Sequence, residues 1–171
     1  MTTAGATAGM TAAQLRAVLA QVHDPEIPVI TIEDLGILRD VTVDGDRVVV
    51  TITPTYSGCP AMQEIEHDVR AALAGYDVEV RTVLSPAWTT DEMSEAGRRK
   101  LREYGIAPPE RRPPGPVVVT LGPRPERPQR LLCPQCGSTD TEELSRFGST
   151  ACKSMWRCLD CREPFDHFRA H

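Results

Sequence analysis

At 171 residues, 40% hydrophobic and 25% charged, the chain is long enough for one ordinary domain and a small second one, and with aromatics at 5% any core must be mainly aliphatic. The net charge of −5 is uneven: residues 1–90 carry 5 basic and 12 acidic groups, while residues 91–121 and 122–171 are each net +1. An acidic first half is a poor surface for phosphate backbones and argues against nucleic acid. No stretch approaches the ~18 apolar residues of a membrane helix, and the start MTTAGATAGM lacks the basic and apolar regions of an export signal. The cytoplasm is therefore the expected compartment, where six cysteines imply reduced thiols and metal, not disulfides.

In chain order, residues 1–9 are small and polar and are expected to be disordered. Thr11 then caps a helix. Gln14 closes a capping box, Met10 is placed to staple Leu15, and Leu15, Val18, Leu19 and Val22 share one face. Pro25 disfavours a helical Asp24 and should end this helix near His23. The stretch HDPEIPVITIEDLGILRD mixes prolines and acids with aliphatics; its residue types suit a capped turn and a short helix with solvated acids. Val41 to Thr53 reads as a hairpin turning at Asp44-Gly45, Ala61 to about Ala74 as a second amphipathic helix, and Asp77 to Val83 as a third strand. The order α, β, β, α, β predicts a small two-layer α/β sandwich.

A loop with Trp88, read as a packing residue or a protein-contact anchor, leads to a third helix, expected over Asp91 to Tyr104. Thr90 or Asp91 should cap it, Gly105 should end it, and Arg98, Arg99, Lys100 and Arg102 should be exposed. Eight prolines between Ala107 and Arg130 make 107–130 a stiff linker, in which Val117–Leu121 could add an edge strand. The expected division is 1–9 disordered, 10–106 α/β domain, 107–130 linker and 131–171 ribbon.

Two cysteine sites carry the chemistry. Cys133/Cys136 and Cys158/Cys161 are two CxxC turns separated by 21 residues, one beyond the usual spacing of such zinc signatures. Brought together, they supply four thiolates in a tetrahedron and leave no open position, so structural Zn2+ is expected and hydrolytic zinc is not. A tail of ~40 residues needs such a staple. Iron or a labile Fe–S cluster in the same cage is the competing reading. Cys152 is then a spare thiol, read as a small hydrophobe in the hairpin with a ligand-exchange or transfer role as the alternative, and His167 and His171 are read as solvent groups. The ribbon's basic residues alternate with Phe147, Trp156, Phe165 and Phe168. Such a mixture can stack on single-stranded nucleic acid, but it suits a miniature core better. The second site is Cys59, between Gly58 and Pro60. Because proline favours the first helical position, Cys59 is expected at or near a helix N-cap, where amide N–H groups and the dipole lower a thiol pKa. Residue types alone leave a reactive or ligand cysteine and a small buried hydrophobe both open. His67 lies over ten Å away by helical rise and is no partner for it. No dinucleotide loop, P-loop or di-iron ExxH pair is present, so the chain is not expected to be catalytic itself.

These segments resemble known families. HDPEIPVITIEDLGIL followed by a strand and TPTYSGCPAM looks like the Fe–S cluster assembly domain family that includes the SufT-type proteins. SPAWTTDEMSEAGRRKLREYGIAPP with TEELSRFGSTACKSMWRCLDCREPFDHF is similar to the PaaD-type family of bacterial phenylacetyl-CoA epoxidase systems, and the resemblance covers about Thr11 to Phe168. It implies the α/β fold of the first family, a role in phenylacetate catabolism and an accessory or maturation factor serving the oxygenase and reductase subunits. It also places Cys59 at the family's loop cysteine, with Asp24, Glu26 and Asp34 of the DPE and DLG signatures shaping its pocket for iron or a transient Fe–S cluster. A noncatalytic structural subunit is the alternative, and a homodimer is left open.

Overall fold

The computed structural model describes residues 9–111 and 130–169. The expected N-terminal disorder, the proposed strand Val117–Leu121, most of the 107–130 linker and His171 lie outside those residues. The described parts of Met1–Trp88 with Glu92–Gly97 form one compact unit, and those of Thr89–Asp91 with Arg98–His171 form a second.

In the first unit, helix α1 (Ala12–Leu19) begins as its sequence requires. Thr11 Oγ1 accepts from Gln14 N–H while Gln14 Oε1 accepts from Thr11 N–H. The helix closes at Ala20, short of the expected His23, and turns follow. Leu15 and Leu19 are fully buried. Strands β1 (Leu38–Asp44) and β2 (Arg47–Ile52) pair antiparallel around the Gly45 turn, at φ 61°. Helix α2 (Met62–Ala72) buries Ile65 and Val69, with Leu73 just beyond its end, and returns the chain to β3 (Asp77–Thr82), which pairs parallel to β2. The sheet order is β1-β2-β3. Helix α1 packs on β1 and α2, and α2 on β3. The core is aliphatic, as composition demands: Ile27, Ile30, Ile32, Leu35, Ile37, Val48, Val50 and Ile52 are all buried. Burying such side chains contributes roughly 1.5–3 kcal/mol each.

The DLG segment anchors the chain that follows β3. Leu35 C=O accepts from Trp88 Nε1 (2.8 Å), and the Trp88 side chain is buried, as a packing residue is. Asp34 C=O accepts from Ser94 N–H and its Oδ1 from Ser94 Oγ (both 2.8 Å). Gly36, at φ 72°, lies so close to Glu92 that an added Cβ would meet the Glu92 carbonyl oxygen at 2.6 Å. A short 3-10 turn (Thr90–Glu92) occupies the expected helix start, and helix α3 is Glu95–Glu103. Ser94 Oγ accepts from Gly97 N–H (2.9 Å) and supplies the cap expected of Thr90 or Asp91.

In the second unit, Arg98 is buried, contrary to its expected exposure. Its guanidinium donates to the Thr90 and Pro109 carbonyls, because a charged group on this face finds backbone acceptors there in place of water. Gly105, at φ 92°, turns the chain into β4 (Ile106–Ala107). This strand pairs parallel to β7 (Pro164–Phe168), so residues assigned to the end of the α/β domain and the start of the linker join the ribbon sheet. Strands β5 (Thr141–Ser145) and β6 (Lys153–Cys158) complete a sheet of order β4-β7-β6-β5. Its core is Ala107, Leu131, Trp156 and Phe165 with the cysteines Cys133, Cys158 and Cys161.

Phe147 is 69% exposed, and of the four aromatics expected in one core Trp156 and Phe165 share the cluster, while Phe168 is buried on the opposite face of β7. His167 is buried, 4% exposed, where a solvent group was expected. Pairing Trp156 with Phe165 and Ser154 with His167 puts His167 on the same sheet face as Phe165. There its ring meets Trp156 edge-on and its Nδ1 lies 3.3 Å from Ser154 Oγ. Burial pushes its pKa down to about 4, with Arg169 adding to the shift.

Candidate functional site

Cys59 sits in the loop that carries the chain from the C-terminal end of β2 to α2. Such loops, at the carboxyl ends of parallel strands, are where open α/β sheets place their ligand sites. Cys59 N–H donates to Tyr56 C=O (3.1 Å), and Cys59 C=O accepts from Met62 N–H (3.4 Å). The helix N-cap is Ala61, so Cys59 stands two residues earlier than the Pro60 rule suggested. The expected lowering of its pKa is also overturned. Desolvation of the half-buried thiol raises it; the Ala61 N–H donating to Sγ pulls it down; the charges of Glu26 and Asp24 raise it further; and Thr55 lowers it through a hydrogen bond. The net direction is up, so Cys59 rests as a thiol. The helix start is present, but burial and two carboxylates outweigh the Ala61 amide and the Thr55 hydrogen bond.

The DPE turn brings those carboxylates in. Asp24 is buried, and its Oδ1 accepts from the N–H groups of Glu26 (2.9 Å) and Ile27 (2.8 Å), with Asp24 N–H donating to Ile30 C=O. This is an Asx turn across Pro25, and it fixes Glu26 beside the loop cysteine. Asp24, Glu26 and Cys59 are thus close enough to act on one another electrostatically. Asp34 is engaged elsewhere, holding the start of α3 through Ser94. In the sequence Thr90 and Asp91 offer earlier caps that mask Ser94. The Ser94-x-x-Gly97 spacing is the signal that could have found it.

The second site is the four-thiol clamp. Cys133, Cys136, Cys158 and Cys161 bring their Sγ atoms within 4.8 Å of one another, at 3.7 Å between Cys133 and Cys161 and 3.5 Å between Cys136 and Cys158. A tetrahedron of zinc–sulfur bonds has sulfur–sulfur edges of about 3.8 Å, so the set fits a four-thiolate ion. Each CxxC turn is followed by a residue in the left-handed region, Gly137 (φ 76°) and Arg162 (φ 66°). Backbone amides then point back at the sulfurs: Ser138 N–H at Cys136, Cys161 and Asp160 N–H at Cys158, and Glu163 N–H at Cys161. The thiols cannot all ionise side by side without a cation. The amide donors draw Cys158 down to about 7. Cys161 rises to about 12 despite the Glu163 amide, through desolvation and the facing sulfurs. Cys136 is raised as well, because its Ser138 donor is outweighed by the Cys158 sulfur and desolvation. A divalent ion reverses this by stabilising every thiolate at once.

Cys152 stands outside the clamp. It is buried and lies 3.0 Å from Thr150 Oγ1. Six residues of extended chain separate it from Cys158, roughly 20 Å, which removes it from ligand exchange.

Comparison with known proteins follows the same division. The family described as iron-sulfur cluster assembly protein matches residues 12–84, and the PaaD zinc beta ribbon domain matches residues 122–169. A protein named Fe-S protein maturation auxiliary factor YitW of Bacillus subtilis is 43% identical over 81 residues, 44% of this chain and 78% of the relative. The crystal structure of a domain of unknown function, DUF59, from Bacillus anthracis superposes with a TM-score of 0.50 at 34% identity, covering 53% of this chain and 90% of that one. A protein of Escherichia coli K12 named as one of the subunits of 1,2-phenylacetyl-CoA epoxidase is 46% identical over 159 residues, 91% of each chain. With that identity along both units, the chain belongs to the PaaD family, with an iron–sulfur cluster assembly domain preceding a zinc β-ribbon.

Proposed function

We propose that this protein is an accessory maturation subunit of a bacterial phenylacetyl-CoA epoxidase, delivering iron or an Fe–S cluster to the oxygenase or reductase component. The observation that carries this reading is the division of the likenesses. The relatives named as Fe–S maturation factors match about half of this chain, 44% and 43% in two of them, while the relative named as an epoxidase subunit matches both units. The first unit then supplies the delivery chemistry and the ribbon the attachment to one oxygenase system. In the first unit Cys59 is the transfer residue, with Glu26 and Asp24 as the oxygen donors beside it. A protonated thiol next to two carboxylates suits an acceptor that gives up its proton only when a cation or cluster arrives. Zn2+ on the four ribbon thiolates is structural.

The test is a Cys59→Ser strain grown on phenylacetate, with the epoxidase isolated anaerobically and its iron content and activity measured. Under-loaded, weakly active epoxidase is expected, whereas fully loaded and active epoxidase would refute the delivery role. The second reading is a noncatalytic structural subunit of the complex, favoured by the same relative's name. It requires stoichiometric co-purification with the oxygenase that Cys59→Ser leaves unchanged.

A further inference from the structure

The four ribbon thiols are not equivalent in their surroundings. Cys133 and Cys158 are buried, at 2% and 0% exposure, and pack with Ala107, Leu131, Trp156 and Phe165; Cys161 is half-buried against the same cluster. Their backbones are also tied into the ribbon: Cys133 N–H donates to Ser138 C=O (2.9 Å) and Cys158 N–H to Glu163 C=O (3.1 Å). Cys136 is exposed and is absent from that apolar cluster. It sits in the turn Pro134–Cys136, immediately before Gly137 in its left-handed conformation. Among backbone donors, Cys158 receives two amide N–H groups and Cys136 one. A rotation about the Cys136 side chain therefore breaks no core contact, whereas withdrawing Cys133 or Cys158 opens the hydrophobic core of the ribbon.

From this asymmetry we infer that the clamp has one exchangeable corner: Cys136 is the ligand through which the ion is loaded and lost, and the site on the ribbon where soft electrophiles act first. Cys133, Cys158 and Cys161 form the three-thiolate base that persists when Cys136 lets go. Reaction with a maleimide makes the chemistry explicit. The Cys136 sulfur adds to the activated double bond, its bond to the ion breaks, a carbon–sulfur bond forms, and a proton from water completes the adduct. Nothing is oxidised or reduced, and the ion is left on three thiolates. Thiol reactivity follows exposure and thiolate character, and of the four metal-held sulfurs only Cys136 belongs to an exposed residue. The inference is independent of what Cys59 does in the other unit.

The full chain is loaded with Zn2+, treated with limiting N-ethylmaleimide, and sampled over time by peptide mass spectrometry with a colorimetric zinc indicator in solution. Among the four clamp cysteines, Cys136 is expected to be modified first, at least about tenfold faster than Cys133 or Cys158. Zinc appearance should track the Cys136 adduct. First modification at Cys133 or Cys158, or all four reacting at one common rate, overturns the inference. A second measurement uses Co2+ as the probe. The Cys136→Ser protein should retain a thiolate-to-cobalt absorption band with weakened affinity, and the Cys158→Ser protein should lose it. Equal loss in both variants refutes the three-thiolate base.

Discussion

Replacing Gly36 by alanine tests whether the DLG segment anchors the chain after β3. Two effects add at this position. The residue sits at φ 72°, a conformation that costs an L side chain roughly 1–2 kcal/mol. The new Cβ would also stand 2.6 Å from the Glu92 carbonyl oxygen and 2.8 Å from the Glu92 Cβ, and overpacking of this kind costs roughly 1–3 kcal/mol. The sum is about 2–5 kcal/mol, a large share of the stability of a unit this small. Gly45 is the internal control. Its φ is 61°, but nothing lies within 4 Å of an added Cβ, so Gly45→Ala should cost the conformational part alone, about 1–2 kcal/mol. Urea titration followed by the indole N–H signal of Trp88 reads the correct unit, since that group donates to Leu35 C=O beside Gly36, and Trp156 reports the ribbon separately. The Gly36→Ala midpoint should fall well below that of Gly45→Ala, and the Trp88 signal should shift even before unfolding. Equal destabilisation by the two substitutions would refute the close approach of Gly36 to Glu92.

Other consequences are as direct. Cys59 should react slowly with iodoacetamide at neutral pH, and Glu26→Gln or Asp24→Asn should speed the reaction by removing a charge that raises its pKa; asparagine keeps the Oδ1 acceptor of the Asx turn, so an unchanged rate would show that these carboxylates do not act on the thiol. Chelation of the ribbon metal should unfold β5 to β7 while leaving the β1-β2-β3 unit folded, read by amide exchange in each unit. His167 adds a pH effect. Its folded pKa of about 4 lies below the ordinary 6.5, so the unfolded chain binds the proton first as pH falls, and the ribbon loses stability between 6.5 and 4. The full loss is about 3 kcal/mol, and the stability difference between wild type and His167→Gln should shrink across that window in urea melts. A difference that stays flat would place His167 in solvent.

Local sequence determined a great deal here. The capping box at Thr11, the Asp44-Gly45 hairpin, the amphipathic face of α2 and the two CxxC turns each rest on interactions within a few residues, and each stands where its residues put it. The four-thiol clamp was legible for a related reason: a tight turn with two sulfurs has few other uses, and only the distance between the turns was left to the fold. What tertiary structure decided were properties that depend on who lies opposite. The thiol pKa of Cys59 follows from its burial and from Glu26 and Asp24, more than thirty residues earlier, and these reverse the effect of the helix start that its own neighbours imply. Arg98 reads as a surface charge until the Thr90 and Pro109 carbonyls enclose it, and His167 as a solvent group until strand pairing sets it beside Ser154 and Trp156. Burial, strand register and the sign of a local field are sums over groups distant in the chain, and folding alone brings those groups together.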